Sequence, residues 1–256
     1  MVSIPQRIFL TGASSGIGRA LARAYAAPGV HLGLLARRQE ELEATAAACR
    51  THGAQIWLRA ADVTDAAAMN AAAADFLAWA GGVDLVIANA GGGEKETLID
   101  ADLLDRTLRL NVTGVARTFA PFLPALQPGA QLAAVASLAG YRGLPYSASY
   151  SAAKAALITY AEALRVGLGG RGIRVATICP GYVRTPLTAG NPYMPWVLEA
   201  DEAARVIRRG LAQRRSRIAF PWQLALLVRT LRLLPDAAFD RAVGMFVRRR
   251  RDAGAG

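Results

Sequence analysis

Six short apolar runs, at residues 8–10, 31–35, 55–59, 85–88, 131–135 and 175–178, recur with alanine-rich helical stretches between them. Strands alternating with helices argue for a parallel sheet covered on both faces. The expected fold class is therefore α/β, a three-layer, doubly wound parallel sheet. A chain of 256 residues, 53% of them hydrophobic, can fill one large core. No repeat, linker or change of composition divides it before about residue 200. We read residues 1–220 as one binding and catalytic unit, and 221–256 as a C-terminal helical extension of the same domain.

The first crossover carries the first chemical signal. Between the apolar run Ile8, Phe9, Leu10 and a helical stretch through Ala20, Leu21, Ala24 and Tyr25 lies Thr11-Gly12-Ala13-Ser14-Ser15-Gly16-Ile17-Gly18. Gly12 suits a tight turn, and Gly16 and Gly18 leave room for a pyrophosphate and for helix–strand contact. The helix N-terminus then offers free N–H groups to the phosphates. Glycine also marks ordinary turns, but a strand before it and a helix after it point to a dinucleotide. The spacing, Gly-x-x-x-Gly-x-Gly, is one residue longer between its first two glycines than the common fingerprint.

The second signal is Tyr150 with Lys154. Residues four apart share a helical face, so the ammonium can lie beneath the phenol. A tyrosine of pKa about 10 is a poor proton donor or acceptor at neutral pH until a cation stabilises its phenolate. Such a pair suits a carbonyl or an alcohol as the reacting group. Ser137, at the end of the fifth strand, can hold the substrate oxygen, as expected for groups at the C-terminal ends of parallel strands. The bland readings are that Ser137 caps a helix, Asn111 caps a turn and Tyr150 is core.

In this order the pieces resemble the short-chain dehydrogenase/reductase family, over nearly all of residues 4–220. The matching residues are Thr11 to Gly18, Asp62 and Val63, Asn89-Ala90-Gly91, Asn111, Ser137, Tyr150-x-x-x-Lys154 and Pro180-Gly181. No catalytic position departs from the family's pattern. The resemblance implies a Rossmann-like NAD(P)-dependent oxidoreductase acting on CH–OH groups, with Asn111, Ser137, Tyr150 and Lys154 as catalytic residues. It further implies that Lys154 bonds the nicotinamide ribose and that Asn111 supports a water chain returning the proton to Lys154. Cofactor contacts would come from Gly12, Ser14, Ser15, Gly16, Ile17 and Gly18 in the turn. Asp62 and Val63 would meet the adenine, and Asn89, Ala90 and Gly91 would line the cleft. Tyr150, Lys154, Pro180, Gly181, Val183 and Thr185 would complete the site, and a homo-oligomer, dimer or tetramer, is expected.

Cofactor choice turns on the end of the second strand. A chain preferring NAD usually places a carboxylate there for the ribose hydroxyls. This one has Ala36, then Arg37 and Arg38. Arginine can clamp a phosphate bidentately, so Arg37, helped by Arg38 and the Ser14 hydroxyl, favours NADP(H), with NAD(H) as the alternative. The resemblance makes Leu187, Tyr193, Met194, Pro195 and Trp196 a lid over the nicotinamide, and Gly143-Leu144-Pro145-Tyr146 an opposing wall. Arg184 and Glu199 are the charges of that lid, so the expected substrate is an uncharged, hydrophobic ketone, aldehyde or alcohol.

Cys49 and Cys179 lack metal spacing, His31 and His52 are isolated, and no metal site is expected. Two structural thiols fit a reducing compartment, and the start of the chain runs straight into the first strand with no signal peptide. A cytoplasmic location is expected. The charge is uneven. Residues 1–204 hold 17 Arg and Lys against 16 Asp and Glu, whereas 205–256 hold 13 against 3. In the same tail Leu224, Leu227, Val228, Leu231 and Leu234 read as one helical face. After Pro235, Phe239, Ala242, Val243 and Phe246 form a second before Arg248 to Arg251. Neither reaches the roughly 20 apolar residues of a membrane span. The tail fits packing with a homodimer contact, or a peripheral position on the inner face of an anionic membrane. No motif supports nucleic acid. A nucleotide-binding scaffold or sensor with low turnover, working through that tail, is the alternative function; the complete tetrad favours the enzyme.

Overall fold

The computed structural model describes residues 5–94, 96 and 99–253, with side chains up to residue 245 in the last helix. Along the chain, β1 (Arg7–Thr11), α1 (Gly16–Tyr25), β2 (His31–Ala36), α2 (Gln39–Arg50), β3 (Gln55–Ala60), α3 (Ala66–Ala80) and β4 (Leu85–Ala88) alternate strictly. There follow α4 (Ala101–Leu108), a π-helical turn at Arg109–Thr113, α5 (Gly114–Phe119), β5 (Gln131–Val135) and α6 (Ala148–Gly169). The chain closes with β6 (Arg174–Pro180), β7 (Val183–Arg184), β8 (Leu198–Glu199), α7 (Ala200–Ala212), β9 (Arg217–Phe220), α8 (Trp222–Leu233) and α9 (Asp236–Ala253).

Seven strands form one parallel sheet in the order β3-β2-β1-β4-β5-β6-β9, and β7 pairs with β8 in a separate small ribbon. The order runs outward from β1 to β3, then restarts on the other side of β1 at β4. Crossovers leave in opposite directions there, which opens a crevice beyond the C-terminal ends of β1 and β4. Successive strand residues face opposite sides, so Ile8 and Leu10 belong to one core layer and Phe9 to the other. The first layer packs on Leu21, Leu42 and Ile207; the second holds Phe76, Phe122 and Leu157. Phe76 lies edge-on to Phe9, with ring centroids 5.3 Å apart, over Gly33 of β2. A Cβ at Gly33 would come within 2.5 Å of that ring.

The three-layer, Rossmann-like α/β architecture is the expected one, and all six apolar runs are strands of the main sheet. β9, β7 and β8 were not anticipated. The tail breaks at Leu234 and Pro235 as read, but its inner face differs. Leu224 and Ala225 are buried and Val228, Leu231 and Leu234 half-buried, while Leu227 is exposed. On α9, Phe239 is buried, Val243 half-buried and Ala242 exposed. The side chains of Phe246 and Arg248 to Arg251 lie outside the described ones. Among the described residues no helix is long and apolar enough to cross a membrane.

Candidate active site

Every step of the turn between β1 and α1 depends on small residues. Gly12 has φ +69°, and a Cβ there would lie 2.8 Å from both the Ala90 Cα and the Asn89 Nδ2. Gly16 has φ +53°, and its Cβ would press on Thr185 Cγ2 at 3.0 Å. Asn89 fastens the turn to β4: its amide donates to the carbonyls of Thr11 (3.1 Å) and Gly12 (3.2 Å). The Thr11 hydroxyl accepts the N–H groups of Asn89 and Ala90, each at 3.2 Å. Ser15, the N-cap of α1, makes no side-chain cap bond. The first-turn N–H groups thus face the cleft, as an anion site requires.

A cavity of about 520 Å³ runs the length of the crevice. Gly12, Ser14, Ser15, Gly16, Ile17, Arg37, Arg38, Asp62, Val63, Asn89, Ala90, Gly91, Ser137, Tyr150, Lys154, Pro180, Gly181, Val183 and Thr185 all line it. Two residues expected at the site lie behind its wall. Gly18 packs against the turn, where a Cβ would run into the Gly12 carbonyl oxygen; its role is contact between α1 and the turn. Asn111 is fully buried in the π-helical turn. Its amide donates to the carbonyls of Gly92 (2.8 Å) and Thr107 (2.9 Å), and its oxygen accepts the Gly92 N–H at 3.2 Å. Gly91 separates it from Lys154: a Cβ on Gly91 would sit 2.8 Å from Asn111 Oδ1 and 3.2 Å from Lys154 Nζ.

At the reactive end, α6 presents Tyr150 and, one turn on, Lys154, whose Nζ is 5.5 Å from the phenol ring centroid. The ammonium is buried and donates to the Val135 carbonyl at 2.9 Å. Burial lowers its pKa to about 8. Burial also raises the Tyr150 phenol above its ordinary value, with a hydrogen bond to Ser137 pulling the other way. Desolvation of the phenolate is the larger of these two effects. Ser137 also accepts the Ala139 N–H at 3.1 Å, so it caps the next turn while lining the cavity.

At the other end, Arg37 and Arg38 both line the cavity and have different partners. Arg38 Nη2 reaches Ser14 Oγ at 3.3 Å, with its Nη1 on Glu41 at 3.0 Å. Arg37 turns toward Asp62 at 3.8 Å. Burial raises the Asp62 pKa, but the bonds from Thr64 and the charge of Arg37 outweigh it and hold the carboxyl below its usual value. Of the expected lid, only Leu187 lines the cavity among the described residues; Tyr193 and Trp196 are exposed and outside the lining. The wall residues Leu144 and Tyr146 are likewise exposed and outside the lining. Arg184 and Glu199 pair with each other at 2.8 Å. Both thiols are buried and pushed up to about 11 by burial.

Some contributors carry no sequence signal of their own. Val135 acts through its carbonyl, and Glu96 accepts the Ser149 N–H at 2.8 Å in the first turn of α6, which Ser147 does not cap. The triple glycine 91–93 was the available hint: Gly93 abuts the Tyr150 ring, 2.5 Å from where a Cβ would be.

The short chain dehydrogenase family profile matches residues 6–194. An uncharacterized oxidoreductase of Myxococcus xanthus is 40% identical over 238 residues, spanning 91% of this chain and 94% of that protein. Among solved structures, a short chain dehydrogenase/reductase from Burkholderia phymatum in complex with NAD superposes with a TM-score of 0.80. It is 27% identical and covers 87% of this chain and 91% of its own. An alcohol dehydrogenase from the archaeon Thermococcus sibiricus, complexed with 5-hydroxy-NADP, gives a TM-score of 0.74 at 28% identity, covering 83% and 94%.

Proposed function

The chain belongs to the short chain dehydrogenase family, and from that premise we propose that it uses NADP(H) to interconvert an uncharged, hydrophobic ketone or aldehyde and its alcohol. One observation carries this reading. A single cavity joins a cationic pole at Arg38 and Ser14 to a proton-handling pole at Ser137, Tyr150 and Lys154. The glycine cradle, the uncapped start of α1 and the open crevice between them fit a dinucleotide. Its 2′-phosphate would lie against Arg38 and Ser14, with Arg37 beside them, and its adenine against Val63. Relatives with NAD and with a modified NADP are both known, so the arginine pole is what favours NADP(H) here.

The bound nicotinamide supplies or accepts the hydride; the chain handles the oxygen and its proton. In reduction, Ser137 and Tyr150 both donate hydrogen bonds to the carbonyl oxygen. As negative charge develops there, the Tyr150 O–H bond breaks and the proton passes to that oxygen. A phenol raised by burial keeps its proton until that moment, which suits an acid. The phenolate left behind is stabilised by the Lys154 ammonium. Lys154 would also bond the cofactor's ribose, and Asn111, which holds Gly92, would support a water path by which the proton is restored. The two charges of the expected lid, Arg184 and Glu199, are paired with each other, which favours an uncharged substrate.

The test is loss of NADPH absorbance across a panel of apolar ketones and aldehydes and matched keto acids. Turnover of the apolar compounds is expected, with Tyr150→Phe losing on the order of a hundredfold or more while still binding NADPH. Preference for the keto acids would overturn the substrate reading, and undiminished turnover in Tyr150→Phe would remove the proton donor. A scaffold has no need of a proton-handling pole, so that reading is not favoured.

A further inference from the structure

Helix α8 is apolar on two opposite sides. Leu224 and Ala225 bury one side against the domain. Trp222, Leu226 and Leu233, spaced four and seven apart and so stacked along the opposite face, are 70%, 57% and 82% exposed. Leu227 on α8 and Met245 on α9 are further exposed apolar side chains of these two helices. Single exposed leucines are ordinary; a stripe of large apolar groups over adjoining helices marks an interaction surface. Arg232 and Arg241 are exposed on the same two helices, whereas Arg229 leans toward Tyr141 on the domain side.

The stripe sits beside the cleft. β9 runs parallel to β6 and ends at Phe220, so α8 begins at the edge of the sheet where the cavity opens. Leu224 and Pro221 back Gly181, within 2.7 and 3.1 Å of where its Cβ would stand. Arg142, on the segment following Ser137, pairs with Asp236 of α9 at 2.7 Å and stacks over Phe239 at 4.3 Å from the ring centroid. The helices are thus fixed to the substrate side of the molecule.

We propose that this face docks on an anionic lipid surface, with Trp222, Leu226 and Leu233 in the acyl boundary and the arginines on the headgroups. Charge selects this occupant. Residues 222–256, which make up these two helices and the end of the chain, hold seven arginines against three aspartates. A second copy on the same face would bring two such tails together, and Asp236 is already engaged by Arg142. An amphipathic pair with Trp and Leu on one side and arginines around it is built to lie in a bilayer interface. The proposal does not depend on the activity inferred above.

The full chain is sedimented with phosphatidylcholine vesicles, alone and with phosphatidylglycerol, beside light scattering. Binding to the anionic vesicles at least about tenfold above neutral ones is expected, declining as salt rises. Trp222→Ser/Leu226→Ser/Leu233→Ser should lose roughly tenfold or more of that binding, and Arg232→Gln/Arg241→Gln should weaken it in proportion to the charge removed. Both variants should keep the wild-type unfolding midpoint and oligomeric mass. In the wild type, brominated lipid should quench a component of tryptophan emission that Trp222→Phe removes, a readout that needs no multiple variant. No preference for anionic vesicles, unaltered binding by the triple variant, or its conversion to a smaller oligomer would each overturn the proposal; the last would make the face a contact between copies.

Discussion

Burial and chemistry make opposite demands on Lys154. Its ammonium must be charged to stabilise a phenolate, yet burial brings its pKa down to about 8 from 10.5. Between those two values the unfolded chain binds a proton that the folded one does not, so this group makes stability rise with pH across that window. Below about 8 both states are protonated and the folded chain bears the full cost of the buried charge. Lys154→Met should therefore unfold at a higher temperature than the wild type near neutral pH, with the gap closing as pH approaches 10.5, although turnover is lost. A gap independent of pH in paired thermal scans would mean that the ammonium is not destabilising. The cofactor pole gives a second residue-scale prediction. Arg38→Ala should weaken NADPH against NADH by roughly ten- to hundredfold, the scale of one charged hydrogen bond. Arg37→Ala should have the smaller effect, since that side chain is turned to Asp62; titration with both cofactors ranks them. That two arginines follow β2 was legible in the sequence. Which one reaches Ser14 was not, because Glu41 and Asp62, from two other elements, set the directions of the side chains.

Elements were legible where burial is continuous. The inner strands are buried on both faces and read as unbroken apolar runs, and the glycine turn and Tyr150–Lys154 spacing are local patterns. β9 escaped because Arg217-Ile218-Ala219-Phe220 alternates half-buried and buried residues beside an arginine-rich stretch. The lid and wall came only from the family resemblance: residues 143–146 and 187–196 have no periodicity, and their placement is tertiary. The short helical turn at Leu138–Gly140 shows how closely elements must meet at the site. A Cβ on Gly140 would lie 2.6 Å from the Lys154 carbonyl carbon and 2.8 Å from the Ala155 nitrogen. The obstacle is backbone, so Gly140→Ala must push Ser137's turn off α6. We expect a loss of about 1–3 kcal/mol in stability, the usual scale of overpacking, read by denaturant unfolding. Turnover should decline more than NADPH affinity, because the shift separates Ser137 from Tyr150 while leaving the arginine pole in place. Equal losses in both would indicate general loosening of the sheet.

At the scale of the whole molecule, the tail is partly core and partly surface, and the two parts can be separated. Its innermost contacts are Leu224 and Ala225, packed near Gly181 and Leu138, and Phe239 beneath Arg142. Removing residues 222–256 would uncover the back of Gly181 and the end of β9, and would leave Arg142 without Asp236. Burial of a large apolar side chain contributes roughly 1.5–3 kcal/mol, and net domain stability is about 5–15 kcal/mol. Losing Leu224 and Phe239 together should therefore consume much of that margin. That truncation is expected to precipitate or to unfold well below the full chain, and to lose turnover with it. Removing only residues 247–256 takes away the run Arg248 to Arg251 and spares each of these contacts. Its unfolding midpoint and NADPH oxidation in solution should match the full chain, while net charge is reduced by three. If the shorter truncation also lost turnover, the arginine run would have to act on the cleft directly. If the longer one retained both stability and turnover, α8 and α9 would be an appendage, and the catalytic unit would end at Phe220.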